Sequence, residues 1–302
     1  MLTRSDLHAY QQDIVDYIQA NERCGVWALM GTGKTVSTLT ALDELSLVED
    51  GIWPVLVLAP LRVAKSVWPN EVHDWQHLSH LKVSAVCGDA IDRKRALAAD
   101  AQVFTCNYEN LEWLVAHFGD AWPFRTVVAD EFSKLKSFRL RQGSKRARAL
   151  ASVAFSKVTR FIGLTGTPMP NGLKDLWGQT WFYDHGQRLG KSYAAYMNRW
   201  FQKDYTGFNF TPREHAQGEI EERLRDICLS VSVPIEEPIV NKVYVDLPGV
   251  VRARYREMEK EAYTEIAAHG IEAVHAASRT GKLLQIVAGA IYDEDKNVHH
   301  LH

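Results

Sequence analysis

Six short apolar runs, each followed by a stretch with helical patterning, constrain the fold of this chain more than any other feature of its first 165 residues. The runs are Cys24–Met30, Val55–Ala59, Lys82–Val86, Gln102–Cys106, Thr126–Ala129 and Thr159–Leu164. Between them lie Lys34–Leu47, Val63–Trp75, Arg93–Ala99, Glu109–Phe118 and Ser144–Phe155, which read as helices. A strand with one wet face alternates apolar and polar residues. These runs are nearly continuous, so both faces must be covered. Strand after strand with a helix between them is the pattern of an α/β, doubly wound parallel sheet, whose ligands bind beyond the carboxyl ends of the strands.

Composition narrows the class. At roughly 150 residues per domain, 302 residues predict two domains. An apolar share of 46% and a charged share of 24% fit a globular chain, and 19 Gly with 10 Pro exclude a collagenous or low-complexity one. No apolar run reaches about 18 residues, and the opening MLTRSDLHAY lacks the apolar core of a signal peptide. The expectation is a cytoplasmic protein with no membrane partner. Cys24, Cys87, Cys106 and Cys228 form no CxxC pair and read as buried thiols, not as a disulfide framework or a zinc site. With a net charge of −2, any nucleic-acid contact must come from a local patch.

The turn after the first run reads ALMGTGKT, Ala28 to Thr35. It matches the phosphate-loop pattern G-x-x-x-x-G-K-S/T except that Ala28 stands at the first glycine. Gly31 and Gly33 let backbone N–H groups, that of Thr32 among them, turn inward around phosphates. Lys34 is suited to the β- and γ-phosphates of ATP and the Thr35 hydroxyl to Mg²⁺, with the helix dipole adding to both. A second element decides the class. Arg125–Glu131 reads RTVVADE, an apolar strand ending in two acids. Asp130 is placed to hold Mg²⁺ through its water shell, and Glu131 to orient and deprotonate an attacking water.

With these two elements in order, the chain resembles the first, RecA-like lobe of Swi/Snf-type superfamily-two helicases and DNA translocases, most of all their compact phage and prophage forms. LHAYQQDIVDYI is similar to the motif in which Gln11 reads the adenine edge. VLVLAPLRVAKSVWPNEVHDW and TCNYENL resemble the segments that track a DNA strand, which implies Pro60, Arg62, Thr105, Asn107 and Tyr108 as DNA contacts. DEFSKLKS stands where the family has Asp-Glu-Ala-His, so Phe132 and Ser133 depart from it. LTGTPMPNGLKDLWGQTWF carries the Gly-Thr-Pro, Asn and Leu-Trp typical of Swi/Snf-type proteins, and implies Thr165, Gly166 and Thr167 as sensors of the γ-phosphate.

The resemblance divides the chain into an ATP-binding lobe at 1–182, a helical protrusion at 183–240, and a strand with helices at 241–302 leading toward a second lobe. That region is expected to hold helices at Ser192–Lys203, Glu219–Leu229 and Gly249–Ile266, a helical segment at Lys282–Ile291, a strand at Asn241–Asp246 and a disordered NVHHLH tail. None of the 19 glycines is followed by Arg, so the arginine motif of the family's second RecA-like lobe is absent from these residues. A transition-state arginine is worth about 10³–10⁵ in rate, so the chain alone is expected to bind ATP and hydrolyse it poorly. The implied partner is double-stranded DNA, bound without sequence preference. A scaffold module without hydrolysis and the motor part of a restriction-type complex are the competing functions. Nine basic and no acidic residues between Lys134 and Arg160 suit a phosphate backbone, or a solvated face balanced by Glu219, Glu221 and Glu222. Trp68, Trp75, Trp113 and Trp122 read as core and not as stacking platforms.

Overall fold

The computed structural model describes residues 1–204, 209–233, 241, 243–244, 246–261, 263–266, 269–272, 276–293 and 295–301. Two compact units emerge, Met1–Ile235 and Glu236–His302. In the first, α1 (Ala9–Ala20) leads into β1 (Arg23–Ala28), and α2 (Lys34–Ser46) into β2 (Val55–Ala59). A π-turn (Val63–Val67) then runs directly into α3 (Trp68–Asp74), followed by β3 (Val83–Val86), α4 (Ala90–Leu97), β4 (Val103–Asn107) and α5 (Leu111–Phe118). Next come β5 (Thr126–Asp130), α6 (Lys145–Ala154), β6 (Arg160–Thr165), α7 (Leu176–Asp184) and α8 (Tyr193–Trp200). A short hairpin of β7 (Phe201–Lys203) and β8 (Phe210–Pro212), α9 (Ala216–Leu224) and β9 (Cys228–Val231) complete the unit.

The sheet order is β3-β4-β2-β5-β6-β1-β9, with every pairing parallel. Alternate residues of one strand feed opposite faces. Val55, Val57 and Ala59 of β2 pack with α1, α2 and α3, while Leu56 and Leu58 pack with the layer holding α5, α6 and α7. That two-sided burial explains the unbroken apolar runs in the sequence. Side-chain caps start several helices. Asp89 accepts the N–H groups of Ile91 and Asp92 at 2.8 and 2.9 Å, Ser144 that of Ala147 at 3.3 Å, and Ser192 that of Ala195 at 3.2 Å. All four cysteines are buried and free. Trp68, Trp75 and Trp122 are buried, and Trp113 packs half-buried against the core.

The stretch read as a protrusion is not helical throughout. The helix expected at Ser192–Lys203 ends at Trp200, and that expected at Glu219–Leu229 gives way to β9, which pairs with β1 through Gly25 and Cys228. Two or three apolar residues at an edge strand leave no period to read. The long helix expected at Val63–Trp75 is broken in hydrogen-bond pattern by the π-turn.

In the second unit, α10 (Gly249–Glu261) precedes an antiparallel pair, β10 (Tyr263–Ile266) with β11 (His269–Glu272). Next, α11 (Ala276–Val287) precedes β12 (Ala290–Tyr292), which pairs with β13 (Val298–His300). Val251, Met258, Ile286 and Ile291 form its small apolar core. The tail expected to be disordered is therefore a strand up to His300. His299 Nε2 lies 2.9 Å from Asp293 Oδ2, and hydrogen bonds to that carboxyl, first from His299, hold it down at about 2. His302 lies outside the described residues. Of the strand expected at Asn241–Asp246, Lys242 and Val245 lie outside them too, and the other four residues are not in a strand.

Gly25 and Gly163 sit side by side on β1 and β6, and Tyr183 of α7 closes over them. A Cβ on Gly163 would stand 2.3 Å from the Tyr183 hydroxyl and 2.6 Å from a Phe132 ring carbon. That hydroxyl is buried and has no hydrogen-bond partner among the described residues. Gly163→Ala should therefore cost about 1–3 kcal/mol through overpacking. Tyr183→Phe, which removes an unsatisfied buried hydroxyl, should leave stability equal or higher. Thermal unfolding of both single variants and of the pair checks this, with the double variant recovering part of the Gly163→Ala loss.

Candidate functional site

Three neighbouring strands, β5, β6 and β1, deliver the predicted site residues to one end of the sheet. Their register sets Asp130 beside Leu164 and Thr165 beside Trp27. The strand-terminal groups thus lie on the carboxyl side of the sheet, where ligands of such folds bind.

The glycine loop leaves β1 at Ala28 and enters α2 at Lys34. Gly31 and Gly33 have φ of +79° and +76°, the left-handed region that glycine adopts at least cost. A Cβ on Gly31 would meet nothing within 4 Å, so the loop is open above it. At Gly33 the constraint is different, because a Cβ would lie 2.0 Å from Gln11 Nε2. Gln11 is buried and bridges two elements, its Oε1 accepting the His8 N–H at 2.9 Å and its Nε2 donating to the Thr32 carbonyl at 3.2 Å. A cleft of about 540 Å³ opens beside Gln11 and Gly33, walled by Val36, Glu71 and Trp75. A larger, mostly apolar cleft of about 710 Å³ flanks the loop on the β9 side, between Leu29, Met169, Ile220 and Val231. It contains none of the site's carboxylates.

Lys34 is buried, and its ammonium donates to the carbonyls of Ala28 at 2.7 Å and Leu29 at 2.9 Å. Burial pulls its pKa down, while Asp130 and Glu131 oppose the shift. Asp130 is buried at the end of β5. Desolvation raises its pKa, countered by the Trp68 indole, by Lys34 and by the Glu131 N–H. Oδ2 accepts Trp68 Nε1 at 3.0 Å and Oδ1 accepts the Glu131 N–H at 2.9 Å. Glu131 is half-buried with φ of +52°, an uncommon conformation for a side chain of this size. Burial and the adjacent Asp130 raise its pKa against Lys34 and Lys134. Thr165 is buried, and its hydroxyl accepts the Thr167 N–H at 3.1 Å. Gly166 crosses β1 closely, a Cβ there meeting the Ala28 carbonyl at 3.3 Å. Phe132, the departure from the family run, is a core residue with its ring 5.3 Å from Phe161 and 5.7 Å from Phe182.

The five positions expected along DNA separate into two groups. Pro60 is half-buried and Arg62 exposed at the carboxyl end of β2. Thr105 and Tyr108 point inward. The Thr105 hydroxyl donates to the Ala64 carbonyl at 2.6 Å, and the Tyr108 hydroxyl to the Asp130 carbonyl at 2.7 Å. Both side chains are buried and brace the site from within, whereas the motif resemblance implied contacts to DNA. Asn107 is nearly buried too, bonded to Glu109 and Asn110. The basic run is also thinner than its count. Arg160 is buried on Glu49 at 3.0 Å, while Lys136, Arg146 and Lys157 meet Asp175, Glu109 and Asp120 at 3.4, 3.0 and 3.8 Å. The expected partner Glu219 instead serves Arg199, Arg223 and Trp200. Sequence reasoning missed Trp68 as part of the site. Among nine tryptophans, nothing in its own spacing marks the one whose indole reaches Asp130.

A parallel sheet that brings a glycine loop, a strand-terminal acidic pair and a Thr-Gly-Thr turn to one edge defines a RecA-like α/β lobe. Residues 10–299 match the model of the SNF2-related domain, and the chain belongs to that family. It is 48% identical over 295 residues to protein p41 of Acyrthosiphon pisum secondary endosymbiont phage 1, covering 95% of this chain and 64% of that protein. It is 25% identical over 283 residues to Helicase SWR1 of Gibberella zeae, covering 85% of this chain and 15% of that protein. Among solved structures, the Sulfolobus solfataricus SWI2/SNF2 ATPase core in complex with dsDNA matches with a TM-score of 0.59 at 24% identity, over 75% of this chain and 44% of that one. The ATPase core domain of the same organism gives 0.56 at 22% identity, over 94% and 55%. Both show a shared fold. The chain spans less than two thirds of each of these relatives. No helix of the described residues is long and apolar enough to cross a membrane.

The backbone strain at Glu131 is testable by itself. Asparagine tolerates the left-handed region better than glutamine, so Glu131→Asn should exceed the equally neutral Glu131→Gln in stability by about 1 kcal/mol. Chemical denaturation of the two nucleotide-free variants would register an equal or lower midpoint for Glu131→Asn if the strain were absent.

Proposed function

We propose that this chain is the ATP-binding half of an ATP-dependent, Swi/Snf-type motor that moves on double-stranded DNA without reading its sequence. The observation that carries the reading is the meeting of Lys34, Asp130, Glu131 and Thr165 at the carboxyl ends of adjacent parallel strands. The open space above Gly31 and the start of α2 suit a triphosphate, whose adenine would lie in the cleft beside Gln11. In that pose the N–H groups of residues 31–35 face the phosphates, and Lys34 trades its two loop carbonyls for phosphate oxygens. Mg²⁺, held by the Thr35 hydroxyl and through water by Asp130, would supply positive charge to the β- and γ-phosphates. Glu131 accepts the proton of the attacking water, a role helped by a carboxyl held above the ordinary glutamate range. Thr165, Gly166 and Thr167 cross the end of β1 and would register whether the γ-phosphate is present.

Arg62, with Lys65 beside it, is exposed on the turn after β2 and offers positive charge to a phosphate backbone; Pro60 opens that turn, and Asn107 ends the neighbouring strand β4 beside Ala59. On this reading the arginines of the transition state come from a second RecA-like lobe, since no glycine here is followed by the Arg that the family's motif requires. Glu131→Gln should bind ATP with unchanged affinity and lose turnover, read on the chain joined to that lobe; normal turnover would remove Glu131 as the base. Supplying the lobe should raise hydrolysis by about 10³–10⁵, whereas a fast DNA-stimulated rate from this chain alone would overturn the two-lobe requirement. Arg62→Ala should weaken duplex binding equally for all sequences and lower the salt slope by about 1.

A further inference from the structure

Trp68 is fully buried, opens α3, and follows directly on the π-turn Val63–Val67. Its indole is one of two donors that fix the Asp130 carboxylate, and Tyr108 holds the carbonyl of the same residue. The π-turn is in turn pinned to β4 by the Thr105 hydroxyl at the Ala64 carbonyl. Arg62 and Lys65, on the same stretch of backbone, are exposed. A π-turn carries one residue more than the α pattern, so it sets the rotational register of everything after it and recurs at functional positions. Loss of that extra residue would swing Trp68 by about 100° around the helix axis and take its N–H off the carboxylate.

Resting on the nucleotide-site reading above, we propose that Trp68 is a positioning residue for the metal site. It holds the Asp130 carboxylate in the posture that Mg²⁺ needs, and it makes that posture depend on whether Arg62 and Lys65 hold a duplex phosphate backbone. A carboxylate offers about four lone-pair directions, and two fixed donors leave the remainder for metal-bound water. The outer partners of a metal ligand commonly govern affinity by 10–100-fold. A buried indole that merely needed an acceptor would instead affect stability alone.

The test is Trp68→Phe in the full chain, which keeps a six-membered aromatic ring and deletes the N–H together with the five-membered ring that carries it. A fluorescent ADP analogue is titrated with Mg²⁺, with and without a short DNA duplex, and also bound in EDTA. Trp122→Phe loses a comparable buried indole bond, to the Phe124 carbonyl at 2.8 Å, away from Asp130, and serves as control. The expected result is a Mg²⁺ midpoint about 10-fold higher in Trp68→Phe, with EDTA binding unchanged and the duplex no longer shifting the midpoint. Trp122→Phe should match the parent chain in all three. Thr105→Val, near-isosteric, frees the π-turn from β4 and should shift the midpoint in the same direction by less, which keeps the proposal testable if Trp68→Phe fails to fold. A parent-like midpoint in folded Trp68→Phe, or an equal shift in Trp122→Phe, overturns the role of Trp68 while leaving the nucleotide site standing. A parent chain that binds no nucleotide overturns both.

Discussion

Burial of the Asp130 carboxylate sets conflicting demands that much of this lobe is arranged to meet. The residue closes a strand covered on both faces, where desolvation disfavours its charge. Work at a phosphate or a metal requires that charge. Lys34 from α2, the Trp68 indole from α3 and the Glu131 N–H all favour the ionised form, while Tyr108 fixes the carbonyl of the same residue. These groups come from four separate segments, and only the strand order β4-β2-β5-β6-β1 brings them to one point. Removing a single partner from a buried charge leaves it uncompensated, a loss larger than the bond itself would suggest.

The same arrangement explains why so much of the lobe was legible in the sequence. Parallel strands covered on both faces must be apolar at nearly every position, so their runs stood out at Val55–Ala59 and Thr126–Ala129. Gly31 and Gly33 were readable for a related reason. One must leave space open, the other must admit the Gln11 amide, and only glycine does both at positive φ. Local rules of this kind act through a residue's own backbone and report themselves in its identity.

What stayed hidden depends on distant partners. β9 joins the sheet across roughly 200 residues of chain, and its four residues carry no pattern that a loop or helix end would lack. Thr105 and Tyr108 matched a DNA-tracking motif by position, yet their hydroxyls turn inward because Ala64 and Asp130 offer buried carbonyls there. A motif gives the place of a residue in the chain; which side of the strand its side chain serves is decided by the neighbours. His299 was read as part of a loose tail for the same reason, since its partner Asp293 becomes close only once Val298–His300 pairs back.

Charge shows the difference between sequence and surface most plainly. Nine basic residues without an acid between Lys134 and Arg160 suited either a phosphate backbone or a solvated face balanced by acids elsewhere. Arg160 is no part of it, being buried on Glu49 and the carbonyls of Ile18 and Asn21. Arg139 lies with its guanidinium 3.3 Å from the Tyr193 ring centroid. Arg146 and Lys157 differ from these, because Glu109 and Asp120 are solvent-facing and such exposed pairs are worth about 0–1 kcal/mol. A phosphate can displace partners held that weakly, whereas it cannot draw Arg160 out of the core. Of that run, the charge open to solvent is therefore that of Lys134, Arg141, Lys145 and Arg148, with Arg146 and Lys157 held only by their exposed acids. Counting charges by the strength of the pair each must leave gives a smaller and more salt-sensitive patch than the sequence count implies.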